Sequence, residues 1–292
     1  MKAGFIAVVG RANVGKSTLI NEMIGQKLSI TSHRPQTTRH RIHAIDTAAD
    51  YQMVFVDTPG IHIGKKKAIN SYMNRAASSS IKEVDVILWL LEAGKWTKED
   101  GRVLEHISKV EVPVILCINK IDKFASVQAV LPFLQKINQK YQAAETFPLS
   151  AFEKKDSQNL RQLILKYLPE QGLIFAADFI TDSSEKFIVA EFIREKLMRN
   201  LDDELPYDLT VDVEKYELDG DLQRISARIY VAKSSQKNIV IGKKGAMLKL
   251  IGTEARLSIE GFLGRKVFLQ LWVKVSSGWS DDKRTLASLG YE

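Results

Sequence analysis

The chain has 292 residues, 45% hydrophobic and 26% charged, with 42 basic against 35 acidic side chains and a net charge of +7. That length predicts about two domains, and the composition excludes a disordered or fibrous protein. The single cysteine, Cys117, excludes an internal disulfide and fits a reducing compartment. The longest fully apolar run, Val86 to Leu91, is far short of the ~18 residues a membrane span needs. The opening residues 1–9 read as a buried strand, because no small-residue cleavage pattern follows them.

In chain order, short apolar runs predict strands over residues 4–9, 41–47, 52–57, 85–91, 112–119 and 146–149. Helical patterns fall over 16–24, 68–81, 98–109, 127–140 and 159–168. Continuous apolar strands such as Val114 to Ile118 suit a sheet covered on both faces. Strand–helix alternation implies a mostly parallel α/β sheet. Only residues 48–51 separate the second and third runs, a hairpin length, so one strand there is expected to be antiparallel. Pro169, Gly172 and the acidic stretch near Asp178 read as a linker over 169–184, between a domain over 1–168 and another over 185–292. The second domain is expected to run helix, strand, strand, helix, helix, strand, helix. Residues 267–275 alternate strictly, and the paired helices over 238–262 are broken at Gly242 to Gly245.

Gly10-Arg11-Ala12-Asn13-Val14-Gly15-Lys16-Ser17 fits G-x-x-x-x-G-K-[ST] between a strand and a helix. The glycines allow the backbone to turn its N–H groups inward, where they and Lys16 hold β- and γ-phosphates. Ser17 is an expected Mg²⁺ ligand, and Val14 and Thr18 complete the loop's nucleotide-binding set. Asp57-Thr58-Pro59-Gly60 closes the third strand, placing Asp57 to reach Mg²⁺ through a water and Gly60 to meet the γ-phosphate. Asn119-Lys120-Ile121-Asp122 closes the fifth strand. The Asp122 carboxylate can accept from the two donors, N1–H and N2–H₂, that guanine carries and adenine lacks. The Lys120 stem can pack on the purine face. Ser150-Ala151, after the last strand, is placed to offer a backbone N–H to the base oxygen.

In this order, these motifs resemble the translation-factor-class GTPases, and the resemblance covers about the first 168 residues. It implies GTP hydrolysis with Mg²⁺ as cofactor and GTP or GDP as ligand. It also implies a first switch at Thr37-Thr38, with Thr38 favoured over Thr37 as the threonine that closes over Mg²⁺. Ser17, Thr38 and Asp57 then form the metal set, and Lys16, Thr38, Gly60 and Asn13 act at the reacting phosphate. Asn13 matches the position at which related GTPases hold a potassium ion, making K⁺ a candidate second cation. Ile61 stands where signalling GTPases carry the glutamine that positions water, so slow intrinsic hydrolysis is expected.

Charge marks out a second function. Residues 171–223 hold 5 basic and 14 acidic residues, whereas 224–274 hold 11 basic and 2 acidic, a concentration that suggests a phosphate-rich partner. Within that block Gly242-Lys243-Lys244-Gly245 is a G-x-x-G loop between helices, with Ile239 and Ile241 as candidate groove wall. The element order resembles an α+β KH domain of type II, in which such a loop clamps about four nucleotides. One P-loop GTPase domain with a mixed, mostly parallel six-stranded sheet, followed by one such KH domain, resembles the Era family of bacterial GTPases. Residues 34–41 and 277–282 extend the likeness. It implies binding near the 3′ end of 16S ribosomal RNA, a role in assembly of the 30S subunit, a cytoplasmic monomer, and at most peripheral contact with the membrane. The linker is the expected route by which nucleotide state reaches the KH surface. Two other readings stay open. One is a P-loop kinase or metabolic ATPase, which Asn119 to Asp122 oppose. The other is an RNA chaperone whose nucleotide site is not coupled to RNA.

Overall fold

The computed structural model describes the chain except residues 33, 35, 60–67, 80, 82, 203, 290 and 292, and the side chains of 77–79, 283 and 288. It divides into two compact units, which do not follow one another simply in sequence. The first comprises Met1–Ser29, Thr38–Lys65 and Met73–Asp182; the second comprises Ile30–Thr37, Lys66–Tyr72 and Ser183–Glu292.

The first unit carries six strands: β1 (Lys2–Val9), β2 (Ile42–Thr47), β3 (Tyr51–Asp57), β4 (Val86–Glu92), β5 (Val114–Asn119) and β6 (Glu145–Pro148). They form one sheet in the order β2-β3-β1-β4-β5-β6. Every pairing is parallel except β2 with β3, where Ala48 N–H closes a tight hairpin on Tyr51 O at 2.9 Å. The expected mixed six-stranded sheet is therefore present. β4 and β5 are buried at every residue, as helix-covered parallel strands should be. The connecting helices are α1 (Lys16–Ile24), α2 (Ala68–Ser79), α3 (Lys98–Ile107), α4 (Leu131–Asn138) and α5 (Lys154–Leu165). Parallel strands all end on one side, so the loops after β1, β3, β4, β5 and β6 are gathered there.

Of the expected linker over 169–184, residues up to Asp182 belong to the first unit. Gln52 Oε1 accepts from Ile174 N–H and Phe175 N–H at 2.8 and 2.9 Å. Ile45 N–H donates to Ile180 O at 2.9 Å, and His43 Nδ1 lies 2.6 Å from Asp182 Oδ2.

The second unit contains α6 (Glu185–Asn200), β7 (Leu209–Asp219), β8 (Leu222–Val231), α7 (Ser234–Ile241), α8 (Ala246–Leu263), β9 (Lys266–Val275) and α9 (Lys283–Ser288). Its sheet runs β7-β8-β9, antiparallel then parallel. Alternation along β8 sends Ile225, Ala227, Ile229 and Val231 inward, where they meet Phe192 and Leu197 of α6 and Ile251 and Ile259 of α8. Ile30, 1% exposed, belongs to this core. A smaller cluster gathers Trp279, Leu286 and Tyr291 with Ile69.

Candidate functional site

The loop after β1 turns sharply because glycine permits it. Gly15 has φ +104, and a Cβ there would lie 2.3 Å from Asn119 Nδ2, so both conformation and space demand glycine. The side chain of Lys16, at the start of α1, folds back so that Nζ donates to Gly10 O and Arg11 O, both at 3.0 Å. Lys16 is only 7% exposed. Burial is the main force lowering its pKa to about 8, against the pull of Asp57. Val14 is fully buried, Asn13 is exposed with φ +64, and Thr18 lies one residue on from Ser17 in α1.

Three oxygens expected around Mg²⁺ converge. Ser17 Oγ donates to Asp57 Oδ2 at 2.9 Å and lies 3.1 Å from Thr38 Oγ1, which is 3.3 Å from the same Asp57 oxygen. Thr37 Oγ1 instead donates to Arg34 O at 2.7 Å. Asp57 is fully buried, which raises its pKa, while Lys16 pulls it down. Among the described residues its Oδ1 has no hydrogen-bond partner. An orphaned buried carboxylate oxygen beside two hydroxyls is an all-oxygen donor set, which suits a hard cation such as Mg²⁺. Gly60 and Ile61 lie outside the described residues.

Around the expected base site the residues split into two kinds. Asn119 is consumed in holding loops together. Its Nδ2 donates to Val14 O at 2.7 Å, and its Oδ1 accepts from Lys120 N–H at 2.7 Å and Ala151 N–H at 2.9 Å. Ser150 N–H is taken by Asp156 Oδ2 at 2.8 Å. Lys120, in the left-handed region at φ +66, sends Nζ to Asn13 O at 2.7 Å. Asp122 is exposed on a short 3₁₀ turn, Ile121–Lys123, where its carboxylate can meet a base.

Sequence reasoning missed Glu92, the last residue of β4, which faces Asn119 in the register. Its side chain, 7% exposed, accepts from Arg11 of the phosphate loop at 2.7 Å and lies 3.3 Å from Lys120 Nζ. Lys95 and Lys123 stand at 3.3 and 3.5 Å. Burial opposes its charge, but these cations outweigh that and hold the carboxyl down at about 2. An acidic residue ending an otherwise apolar strand, at the edge where parallel strands place their sites, is the signal that could have found it.

In the second unit, the G-x-x-G loop joins α7 to α8 with three positive-φ residues: Gly242, Lys244 and Gly245. A Cβ on Gly242 would lie 2.9 Å from Met247 N. Lys243 and Lys244 are exposed, Ile239 is 55% exposed, Val240 is buried and Ile241 is half-buried. Alongside runs a groove of about 390 Å³, lined by Gly245, Leu248, Lys249, Arg256, Leu269 and Leu271 among others. It has an apolar floor and a cationic rim.

Comparison with known proteins agrees with both halves. Residues 5–120 match the family described as 50S ribosome-binding GTPase, and residues 204–280 match the KH domain. The chain is 48% identical over 290 residues to GTPase Era of Vibrio vulnificus, covering 99% of this chain and 91% of that one. It is 47% identical to GTPase Era of Pseudomonas putida, covering 99% and 97%. A crystal structure of Era in complex with MgGDPNP and nucleotides 1506–1542 of 16S ribosomal RNA superposes with a TM-score of 0.96 at 38% identity, over 100% of this chain and 99% of that one. An Aquifex aeolicus Era variant bound to GDP and tetrafluoroaluminate gives the same values. Likeness of this degree over nearly every residue is common descent, and the chain belongs to the Era family of GTPases.

Proposed function

We propose that this GTPase is an RNA-binding switch: its first unit binds and hydrolyses GTP, and its KH domain binds the 3′ end of 16S ribosomal RNA during assembly of the 30S subunit. The observation that carries the reading is the convergence of Ser17, Thr38 and Asp57 beside the phosphate loop, in a chain that also presents a strained, lysine-bearing G-x-x-G loop. The related Era solved with MgGDPNP and 16S nucleotides 1506–1542 supports both ligands.

Ser17, Thr38 and Asp57 would hold Mg²⁺, which when bound neutralises charge on the β- and γ-phosphates. Lys16 lends its ammonium to the same oxygens, exchanging two backbone carbonyls for phosphate. Asn119 and Glu92 keep the phosphate loop and the base loop in register. Asp122 selects guanine by accepting from N1–H and N2–H₂. The overall reaction is GTP and water to GDP and phosphate. With an isoleucine at position 61, no side-chain amide follows Gly60 to orient that water, so unstimulated turnover is slow. We assign Asn13 as the residue beside which K⁺ would bind, with turnover faster in K⁺ than in Na⁺; identical rates remove this assignment. The protein works as a cytoplasmic monomer whose membrane contact, where it occurs, is peripheral.

The test of the base assignment is Asp122→Asn. Its amide offers a donor where xanthine presents an oxygen, so preference should move from GTP to XTP by at least a hundred-fold in competitive binding. An unchanged preference would remove Asp122 from base recognition.

A further inference from the structure

Strict alternation along β9 buries Val267 and Val273 and turns Leu269 and Leu271 toward the KH groove. The opposite face of the strand should be polar. It instead carries two large rings, Phe268 and Trp272, which are 43% and 48% exposed. They stand four residues, about 13 Å, apart along an edge strand. Each faces an arginine of β8 in the register: Arg224 opposite Phe268, and Arg228 opposite Trp272; Tyr230 faces Lys274. Cations sit on Phe268 and on Tyr230. Arg224 Cζ is 5.5 Å from the Phe268 centroid, and Arg228 Cζ and Lys274 Nζ are 5.9 and 6.0 Å from that of Tyr230.

We propose that this outer face of β8 and β9 is a second RNA-contacting surface, on which nucleobases beyond those in the KH groove stack on Phe268 and Trp272. It rests on the RNA-binding reading above and extends it. Aromatic faces flanked by cations are the general means of binding single-stranded nucleic acid without reading its sequence. A KH groove accommodates about four nucleotides, so a longer strand must leave it. β9 is the strand it leaves along, since the groove is lined by one face of β9 and the two rings stand on the other. Charge fixes the side on which phosphates lie. The carboxylates near this face belong to β7, where Glu214 pairs with Arg228 and Asp219 with Arg224. β9 itself is bounded by exposed cations, Arg265 and Lys266 at its start and Lys274 near its end, within a block of 11 basic and 2 acidic residues. The backbone therefore runs outside β9, with its bases turned inward over the rings.

The full-length protein is titrated with a five-nucleotide RNA that fills only the groove and with 16S nucleotides 1506–1542. Phe268→Ala and Trp272→Ala should each leave the short RNA within two-fold of wild type and weaken the long one roughly ten-fold, as loss of one stacked base predicts. Trp89 and Trp279 are buried and Trp96 is half-buried against the Trp89 ring, so Trp272 is the most exposed of the four indoles; the long RNA should quench an emission component that Trp272→Phe removes, and the short one should not. Trp272→Phe, which keeps a ring, should restore long-RNA affinity. Long-RNA affinity unchanged in both alanine variants overturns the proposal, leaves the groove reading intact, and assigns the rings to a protein partner. Equal weakening for both RNAs overturns it as well, since the strand then serves only as groove wall. Failure of the wild type to bind either RNA instead defeats the RNA-binding reading itself.

Discussion

Lys16 shows how much of a residue's chemistry depends on its burial. Its place in the loop was legible from eight residues of sequence, but its proton affinity was not, because that is set by the strands that bury it. Burial costs the ammonium its hydration, and two carbonyl oxygens replace only part of that, so the pKa falls to about 8. Bound phosphates reverse the balance and hold the proton. Below pH 8 the lysine is charged with or without nucleotide, and binding takes up no proton. Above pH 8 the free protein has lost the proton and the complex regains it, so affinity falls as pH rises, by up to ten-fold per unit. Calorimetry in two buffers of different ionisation enthalpy should give uptake near zero at pH 7 and approaching one proton at pH 9. Lys16→Arg, charged throughout, should abolish the uptake in whatever binding remains. Zero uptake by the wild type at pH 9 would mean the free lysine is already charged.

At the level of elements, the loops after β1, β4 and β5 form one assembly because side chains tie them. Glu92 joins Arg11 to Lys120, and Asn119 joins Val14 to Ala151. Glu92→Gln keeps the shape but removes the charge that two or more cations share. Buried charge-assisted bonds of this kind contribute about 2 kcal/mol, and stability at pH 7 should fall by that order. The sign with pH follows from the carboxyl's depression to about 2. Its contribution is complete above an unfolded value near 4.5 and is lost as pH falls toward 2. The stability gap between wild type and variant, followed by urea unfolding, should therefore be constant from pH 7 to 5 and close between 4.5 and 2. Affinities for GTP and GDP should fall in equal proportion, because the site is loosened rather than deprived of a phosphate contact. A gap that persists at pH 2 would deny the charge its role. The elements themselves were largely legible, since buried strands and amphipathic helices write their period into the chain. Misjudged starts fall where that period is silent. α5 begins at Lys154, five residues before the expected Asn159, over a Lys-Lys-Asp-Ser stretch with no apolar side chain. α7 begins at Ser234 rather than Asn238 for the same reason. Glu92 escaped notice because one charge after six apolar residues resembles an ordinary strand end.

Across the whole molecule, a single cut near residue 169 misses how the chain is shared. Residues 30–37 lie inside the expected GTPase domain, yet the described ones among them pack with the KH unit, and their composition gives no sign of it. Ile30 enters the KH core. Thr31 N–H and Oγ1 donate to Glu195 Oε1 at 3.0 and 3.2 Å. The carbonyls of Gln36 and Thr37 accept from Arg194, itself 1% exposed and held by Glu191 at 2.6 Å. The next residue, Thr38, belongs to the other unit and lies against Ser17 and Asp57. One peptide bond thus separates the expected metal set from a segment anchored on α6. The expected linker is fastened to the first unit through residues as late as Asp182. The expected route from nucleotide to RNA therefore runs from Thr38 through the adjoining Arg194 anchor to α6, which packs in the KH core. Arg194→Lys preserves the charge but cannot reach Glu191 and two carbonyls together. Wild-type protein should bind the 16S fragment several-fold more tightly with a GTP analogue than with GDP. In the lysine variant that ratio should fall below two-fold, with nucleotide affinity within a factor of three of wild type. Thr31→Ala, a milder cut in the same strap, should give an intermediate ratio. An undiminished ratio in both variants would free residues 30–37 of any part in coupling and return it to the segment before α6.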